Sequence, residues 1–300
     1  MRVFLTGATG FIGTAVSAEL IGAGHTVLGV ARTDEAARTL ASRGVEPHRG
    51  DLTDPSSFVA GARACDAVIQ CAFIHDFSRF AENMEIEKTT VVAMLDALAG
   101  SGKPFVITSG VAMLAPGRVA TEEDRPPRQG RGETEALVRE AADRGLRTAV
   151  IRLPPITHDS GDGGFLPPLV SVAREKGVAA YVGDGANRWP AGHRLDAARL
   201  YRLALETGEP GAAYHAVGDE GVAARDIAAA IGRRLELPTA SLGPDEAVGH
   251  FGWLGMFAAI DMPASSERTQ QRLGWRPTHA RLIEDIDTAP SLAATALTGV

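Results

Sequence analysis

The amino-acid sequence predicts an α/β protein: a doubly wound parallel sheet with helices on both faces, followed by a smaller C-terminal lobe. Over residues 1–155, short β-rich apolar runs alternate with longer amphipathic segments, as in parallel strands joined by crossover helices. A glycine-rich segment at 6–13 follows the first run. After Pro154 and Pro155 the alternation stops, and glycine and proline crowd residues 159–168. The first part and the remainder therefore differ in architecture.

The predicted elements follow in chain order. Strands of the first part lie at 3–6, 26–31, 45–48, 67–72, 105–109 and 148–153, and helices at 14–23, 35–43, 56–62, 83–99 and 133–144. Later helices lie at 195–206, 225–235 and 265–273, with weak strands near 178–182 and 213–217. We expect a first domain over 1–155 and a smaller substrate-binding lobe over 156–290. The segment around 183–217 is expected to return to the first domain, and 291–300 to form a frayed tail.

The composition is that of an ordinary globular chain. Its 300 residues are 45% hydrophobic and 22% charged, and 30 Lys and Arg against 37 Asp and Glu give a net charge of −7. No overall basic field exists for nucleic acid or an anionic membrane, so we expect a small-molecule substrate. No apolar run approaches the roughly 20 residues that span a bilayer, and the opening run is too short for a signal peptide.

The two cysteines predict neither a disulfide framework nor a metal site. Cys65 and Cys71 are so close in sequence that a bridge would close only a tiny loop, and neither belongs to a Cys/His metal pattern. A reducing compartment fits best. We therefore expect a cytoplasmic protein without a metal.

The segment 6–13, with the sequence TGATGFIG, predicts a dinucleotide-binding turn between the first strand and the first helix. Its three glycines allow a tight turn, a close backbone approach to a pyrophosphate and close packing of the helix on the strand. A glycine-rich turn without a ligand is the alternative, which the flanking strand and helix disfavour. The residues assigned to the cofactor are Gly7, Thr9, Gly10, Phe11, Ile12 and Gly13.

The end of the second strand indicates which dinucleotide binds. An NAD site places a carboxylate there, whereas this chain has Arg32. A guanidinium suits a 2′-phosphate, so we predict NADP (NADPH) as the cofactor. The alternative is that Arg32 is merely solvated and that Asp34 or Glu35 serves the ribose. Asp51 and Leu52, just after the third strand, are expected beside the adenine.

Together these motifs resemble the extended or atypical short-chain dehydrogenase/reductases, the NAD-dependent epimerase/dehydratase-like branch. The resemblance covers almost the whole chain and rests on 6–13, 50–53, 105–109, 152–155, 182–185, 193–196 and 273–277. It implies a Rossmann-like fold, a nicotinamide cofactor and a possible homodimer. It also places further residues near the cofactor: Cys71, Ala72, Phe73, Thr108, Arg131, Pro154 and Ile156.

The chain departs from this family in its proton-transfer residues. Family members that oxidise or reduce an alcohol carbon generally use a Tyr-x-x-x-Lys pair with a nearby Ser or Thr. Four residues after the three tyrosines, Tyr181, Tyr201 and Tyr214, stand Gly185, Leu205 and Gly218. Registering the helix of 133–144 on the family pattern places Pro127 at the tyrosine, Arg131 at the lysine and Gly110 at the serine. Arg131 can bind ribose hydroxyls or phosphate, but it is a poor proton donor.

His75 and Ser109 are the predicted catalytic substitutes. His75 lies in the loop after the fourth strand, where a doubly wound sheet places ligands, and it titrates near neutrality. Ser109 lies at the tip of the fifth strand, where its hydroxyl can donate to a substrate oxygen or to the nicotinamide amide. The alternatives are a surface histidine and a strand-ending serine. His158, Trp189 and His193 are assigned to the substrate pocket, with hydrogen-bonded structural histidines as the alternative for the first and last.

These features predict an NADP-dependent oxidoreductase that reduces a small, moderately apolar carbonyl or imine compound by an unusual proton route. Aromatic residues in the second lobe suggest an apolar pocket, with core packing as the alternative. Two other functions stay open. A non-catalytic NADP(H) sensor explains the missing acid most simply, and a nucleotide-sugar epimerase or dehydratase is disfavoured because it also needs the tyrosine and lysine.

Overall fold

A computed structural model describes residues 1–74, 79–160 and 163–292, and its centre is a parallel sheet. The sheet consists of β1 (Arg2–Thr6), β2 (Thr26–Ala31), β3 (Glu46–Arg49), β4 (Ala67–Gln70), β5 (Pro104–Gly110), β6 (Arg147–Leu153) and β10 (Ala212–His215). Their order is β10-β6-β5-β4-β1-β2-β3, and every pairing is parallel. The predicted fold class is confirmed. The strand order reverses between β1 and β4, the place where such sheets bind ligands.

Helices cover both faces of this sheet. One face carries α1 (Phe11–Gly22), α2 (Asp34–Ser42) and α7 (Arg194–Thr207), and the other carries α3 (Ser56–Ala64), α4 (Phe80–Leu98) and α5 (Arg131–Glu140). Successive side chains of a strand point to opposite faces of the sheet, so each strand contributes to the apolar core on both faces. Val3 and Leu5 pack on the α1 side, and Phe4 packs on the α3 side. Buried apolar residues on both faces explain why these strands read as continuous hydrophobic runs.

The second lobe contains two small sheets and five helices among the described residues. The sheets are formed by β7 (Ile156–His158), β9 (Arg188–His193) and β11 (Asp219–Ala223), and by β8 (Ala179–Val182) and β12 (Thr239–Leu242). The helices are α6 (Leu166–Lys176), α8 (Ala224–Leu235), α9 (Ala247–Phe251), α10 (Glu267–Leu273) and α11 (Leu282–Thr288). Short 3₁₀ turns lie at Ala141–Arg144, Pro244–Glu246, Gly252–Met256 and Pro290–Leu292.

Several elements differ from the sequence-based boundaries, and those outside every predicted element are β7, β9, β11, β12, α6, α9 and α11. Helix α1 begins at Phe11 instead of residue 14, so the glycine-rich segment enters the helix directly. Helix α6 begins within the glycine- and proline-rich stretch 159–168; its prolines occupy the first helical turn, where a missing N–H costs nothing. Of the predicted tail, Leu292 is buried at the end of a 3₁₀ turn, and residues 293–300 lie outside the described part.

A buried arginine joins the sheet to distant parts of the chain. Arg152 on β6 is fully buried and forms two hydrogen bonds with Glu135 on α5. It also donates to the backbone oxygen of Asp124 and to Nε2 of His215 on β10.

Within the described residues no helix is long and apolar enough to cross a membrane.

Candidate functional site

The glycine-rich turn meets the carboxyl end of β4 so closely that side chains do not fit. Gly7 has a φ of +66°, and a Cβ there would lie 2.8 Å from the backbone nitrogen of Ala72. A Cβ on Gly13 would lie 2.1 Å from the backbone oxygen of Gly7. Gly7 is therefore required by the close approach of the turn to the loop after β4, and Gly13 by the packing of α1 against the turn.

Three backbone N–H groups at the start of α1 are free of partners within the described part of the chain. Gly10 is the N-cap and supplies no side-chain acceptor, and its own N–H donates to the oxygen of Gly7. The N–H groups of Phe11, Ile12 and Gly13 have no acceptor among the described residues. Free amides at a helix N-terminus, together with the helix dipole, form an anion-binding site. Thr9 and Gly10 are exposed at the surface of this turn.

The loop after β4 is fixed beside this turn. The hydroxyl oxygen of Thr6 accepts hydrogen bonds from the backbone nitrogens of Cys71 and Ala72, each at 3.1 Å. This places two of the predicted cofactor residues directly beside Gly7. Burial raises the pKa of the Cys71 thiol to about 11, so the thiol is neutral at pH 7. Cys65 and Cys71 are both free.

Arg32 is the available cation at the end of β2. Its side chain is exposed and makes no hydrogen bond or ion pair with any residue in the described ranges. The alternative ribose ligand Asp34 is paired with Arg49. The Asp51 carboxylate accepts the N–H and hydroxyl of Thr53, at 2.9 and 2.8 Å, and these bonds, with a smaller contribution from Arg32, lower its pKa.

Leu52 packs inward at the same edge. Its side chain lies against the buried cluster under α3 and α4, and its backbone oxygen accepts the hydroxyl of Thr90 at 2.9 Å. Its side chain is therefore only partly available to a ligand.

Arg131 lies at the carboxyl ends of β4 and β5. Its Nη2 donates to the backbone oxygen of Thr108 at 2.8 Å, and its Nε and Nη2 donate to Glu87 at 3.2 and 3.0 Å. The guanidinium lies 4.6 Å above the ring of Phe73. Glu87 is only 3% exposed, and burial raises its pKa although Arg131 opposes the shift. The Nη1 group of Arg131 has no partner among the described residues, so it can still donate to a ligand.

Thr108 uses its hydroxyl inside the protein. The hydroxyl donates to the backbone oxygen of Gln70 at 3.0 Å and accepts from Tyr201 at 2.6 Å. Tyr201 is fully buried on α7, and burial raises its pKa well above the ordinary value. Thr108 therefore holds α7 against the sheet and offers no free hydroxyl to a cofactor. Tyr201 offers no accessible phenol.

Ser109 lies at the same edge of the sheet. It follows Thr108 on β5 and is 6% exposed, and its hydroxyl bonds to no described residue. The next residue, Gly110, is exposed. The second predicted catalytic residue, His75, lies outside the described residues, so its role stays a prediction from the sequence.

Pro154 and Ile156 are buried where β6 passes into β7. Ile156 belongs to the apolar cluster of the second lobe, and the backbone oxygen of Pro154 accepts the hydroxyl of Thr157. Their side chains form a wall of the lobe, and any contact with a cofactor is left to their backbone.

The three residues assigned to the substrate pocket are buried and hydrogen-bonded. His158 is bound to Asp285 at 2.7 Å, and Nδ1 of His193 accepts the backbone N–H of Leu195 at 3.2 Å. The rings of His158 and His193 pack edge to face at 5.4 Å, and burial lowers the pKa of His193. These contacts favour the structural alternative for both histidines. Trp189 donates to the oxygen of Ile260, and its ring borders an apolar cavity.

Two contacts at this edge have no signal in the sequence. The guanidinium of Arg194 lies 4.5 Å above the ring of Phe11 and pairs with Asp159, which connects the second lobe to the glycine-rich turn. Glu87 meets Arg131 from 44 residues away. Arg194 lies in the motif 193–196 that carries the family resemblance, but spacing alone does not identify its partner.

Comparisons with known proteins identify the family of this chain. The model of the NAD-dependent epimerase/dehydratase family matches residues 3–217. The chain belongs to this family. An uncharacterized protein of Saccharomyces cerevisiae is 45% identical over 97% of this chain and 100% of its own length. A 2-alkyl-3-oxoalkanoate reductase of Stenotrophomonas maltophilia is 30% identical over 71% of this chain and 68% of its own length.

A solved structure has the same fold. The UDP-glucose 4-epimerase of Thermus thermophilus, in complex with NAD, covers 96% of this chain and 97% of its own, with a TM-score of 0.74 and 20% identity. Membership of the epimerase/dehydratase family supports a nicotinamide dinucleotide cofactor and an oxidoreductase type of activity. The site fits such a cofactor, because free amides at the start of α1 suit a pyrophosphate.

Proposed function

We propose that the protein is an NADPH-dependent reductase that acts on a small, moderately apolar carbonyl or imine compound. The observation that carries this proposal is the set of free N–H groups at residues 11–13, beside the carboxyl ends of β1 and β4. Arg32 supports NADPH over NADH, since a free guanidinium at the end of β2 suits a 2′-phosphate. When bound, the cofactor supplies the hydride.

The chain's own residues bind the cofactor and orient it. In this proposal the amides of residues 11–13 hold the pyrophosphate, and Nη1 of Arg131 donates to the ribose in place of the family's lysine. Arg131 is suited to this because Glu87, Thr108 and Phe73 fix the rest of its guanidinium. A side chain held by packing and hydrogen bonds loses little freedom when it binds.

Ser109 donates a hydrogen bond to the substrate oxygen. Such a bond stabilises the negative charge that develops on the oxygen as the carbonyl is reduced. A serine hydroxyl is not an acid near neutral pH, so the proton itself comes from another donor, and His75 is the one that the sequence offers. An imine substrate that is already protonated needs less help.

Two observations support the substrate class. The relative from Stenotrophomonas maltophilia is named as a reductase of 2-alkyl-3-oxoalkanoates, compounds that carry both a carbonyl group and alkyl chains. In the second lobe Phe165 packs against Trp189, Trp253 and Phe257, with ring centroids 5.3 to 5.9 Å apart. These aromatic rings make the surroundings in the second lobe apolar.

A cytoplasmic location, suggested by the free Cys65 and Cys71, and a homodimer belong to the same proposal.

The test is NADPH consumption with a panel of ketones, 3-oxo acids, imines and quinones. We expect turnover with at least one acceptor, and Ser109→Ala should lower kcat about a hundredfold without changing NADPH affinity, because it removes only the bond to the developing charge. His75→Ala should also lower kcat while NADPH affinity is kept. Ser42→Ala, at the far end of α2, is the matched control and should behave as the parent.

The second candidate is a non-catalytic NADP(H) sensor. The absence of a Tyr-x-x-x-Lys pair from the sequence and the burial of Tyr201 favour it. If the protein binds NADPH tightly but reduces none of the acceptors, the sensor becomes the favoured function and the reductase proposal is abandoned. A Ser109→Ala variant as active as the parent would remove Ser109 from the mechanism.

A further inference from the structure

The second lobe contains an apolar cavity that lies apart from the dinucleotide edge and shares only Trp189 with the three residues assigned to the substrate pocket. It lies between α6, α8, β8 and α9 and is partly open to solvent. Its walls include Leu169, Ile227, Ile231, Phe251 and Leu254. None of its lining residues belongs to the seven-stranded sheet or to helices α1–α5 and α7. An apolar lining with a few polar groups is typical of sites for small organic molecules.

Two polar side chains border this cavity, and neither has a hydrogen-bond partner among the described residues. Nε2 of His250 is buried and unpartnered. The hydroxyl of Tyr181, on β8, makes no hydrogen bond to a described residue either. In contrast, the indole N–H of Trp189, another lining residue, is satisfied by the oxygen of Ile260 at 3.2 Å. A buried polar atom left without a partner costs free energy, so a ligand that supplies one gains that amount.

We infer that this cavity binds a small apolar molecule carrying one hydroxyl or carbonyl group, which forms a hydrogen bond with Nε2 of His250. The apolar walls take the body of the ligand, and the imidazole takes its polar end. The ring of His250 packs edge to face on Phe251 at 4.7 Å, which fixes its orientation. Burial lowers the pKa of His250, with Lys176 acting in the same direction. The imidazole is therefore neutral at pH 7 and can meet an uncharged ligand without a buried charge.

The geometry disfavours ligands of other classes. A phosphate or a nucleotide would need several cations or free amides, and the cavity lining contains no lysine or arginine. A purely aliphatic molecule would leave Nε2 of His250 unpartnered. The site therefore favours the combination of an apolar body and a single polar group, and it is separate from the dinucleotide edge.

The experiment compares two probes that differ by one hydroxyl. Binding of 4-fluorobenzyl alcohol and 4-fluorotoluene to the whole protein is measured by ¹⁹F NMR, without cofactor, so the result does not depend on the proposed reductase activity. We expect saturable binding of both probes, with the alcohol tighter. His250→Phe keeps an aromatic ring but removes the polar group, so it should weaken the alcohol about fivefold and leave 4-fluorotoluene unchanged.

Two further variants fix the location. Ile231→Trp fills the cavity and should abolish binding of both probes. Val248→Ala, on the same helix as His250 but 59% exposed and absent from the lining, should change nothing. The inference is overturned if the parent binds neither probe saturably, if His250→Phe weakens both probes equally, or if Ile231→Trp leaves their binding intact. Retained binding of 4-fluorotoluene shows that the His250→Phe variant is folded.

Discussion

Among single residues, Arg32 carries the proposed preference for NADPH over NADH. Its charge is exposed and unpaired within the described part of the chain, while the neighbouring Asp34 is already engaged by Arg49. A charged hydrogen bond of this kind contributes about 1.5 to 3 kcal/mol. The preference should therefore depend on this one side chain.

The first prediction concerns Arg32→Ala. NADPH affinity should fall about ten- to a hundredfold, and NADH affinity should stay the same, because only NADPH carries the 2′-phosphate. Calorimetric titration of both cofactors checks it. Arg38→Ala, which removes another exposed arginine from α2, is the control and should leave both affinities unchanged. Equal weakening of NADPH and NADH by Arg32→Ala would exclude the phosphate contact.

The sequence predicts those residues whose role is local. Gly13 follows from spacing, because the close approach of the helix to the turn involves only neighbouring backbone, and the positive φ of Gly7 is likewise a local property of the turn. The pair of Glu87 and Arg131 does not, since 44 residues separate two charges that the sheet brings together. For His158 and His193 the sequence left two alternatives, a pocket role and a structural role, and their burial and hydrogen bonds favour the structural one.

At the scale of elements, the start of α1 is the critical feature. The helix can offer its free amides only if it packs directly on the turn after β1. The apolar pattern does not predict that the helix begins at Phe11, because Gly13 and Thr14 interrupt the apolar residues of its first turn. Helix α6 is not predicted either, because the two prolines in its first turn are unusual within a helix and interrupt the helical pattern of the sequence.

The second prediction concerns Gly13→Ala. The added methyl group would lie 2.1 Å from the oxygen of Gly7, so α1 must move away from the turn. We expect a loss of about 1 to 3 kcal/mol in the free energy of unfolding and at least a tenfold loss of NADPH affinity. Urea unfolding and calorimetric titration measure the two effects.

Gly22→Ala is the control for this change. Gly22 is the last residue of the same helix, and a Cβ there meets no atom within 4 Å. Its unfolding free energy should stay the same or rise slightly, and NADPH should bind as to the parent. A Gly13→Ala variant that binds NADPH normally would refute the packing role assigned to Gly13.

At the scale of the whole molecule, the buried Arg152 cluster holds distant segments together. His215 on β10 lies between Arg152 and the backbone oxygen of Ser265. The carbonyl oxygen accepts from Nδ1, so Nε2 carries no hydrogen and accepts from Arg152. Burial, and then the charge of Arg152, lower the pKa of His215 to about 3. No pattern in the sequence predicts this cluster, because its members come from β6, α5 and β10.

The third prediction is the pH dependence that follows. Below the ordinary histidine pKa of 6.5, the unfolded chain takes up a proton at this position that the folded chain refuses. His215 therefore lowers stability as the pH falls from about 6.5 towards 3, by about 1.4 kcal/mol per pH unit. In His215→Gln this contribution is absent. The unfolding free energies of parent and variant should converge as the pH falls from 7 to 4, as measured by urea unfolding. Parallel curves would contradict the neutral, buried His215.

The central claim is that the turn after β1 and the free amides of α1 bind a nicotinamide dinucleotide, with Arg32 selecting NADPH. Calorimetric titration of the purified protein with NADPH and with NADH tests it most directly. We predict saturable binding of one NADPH per chain, at least tenfold tighter than NADH. If neither cofactor shows saturable binding, the claim is wrong.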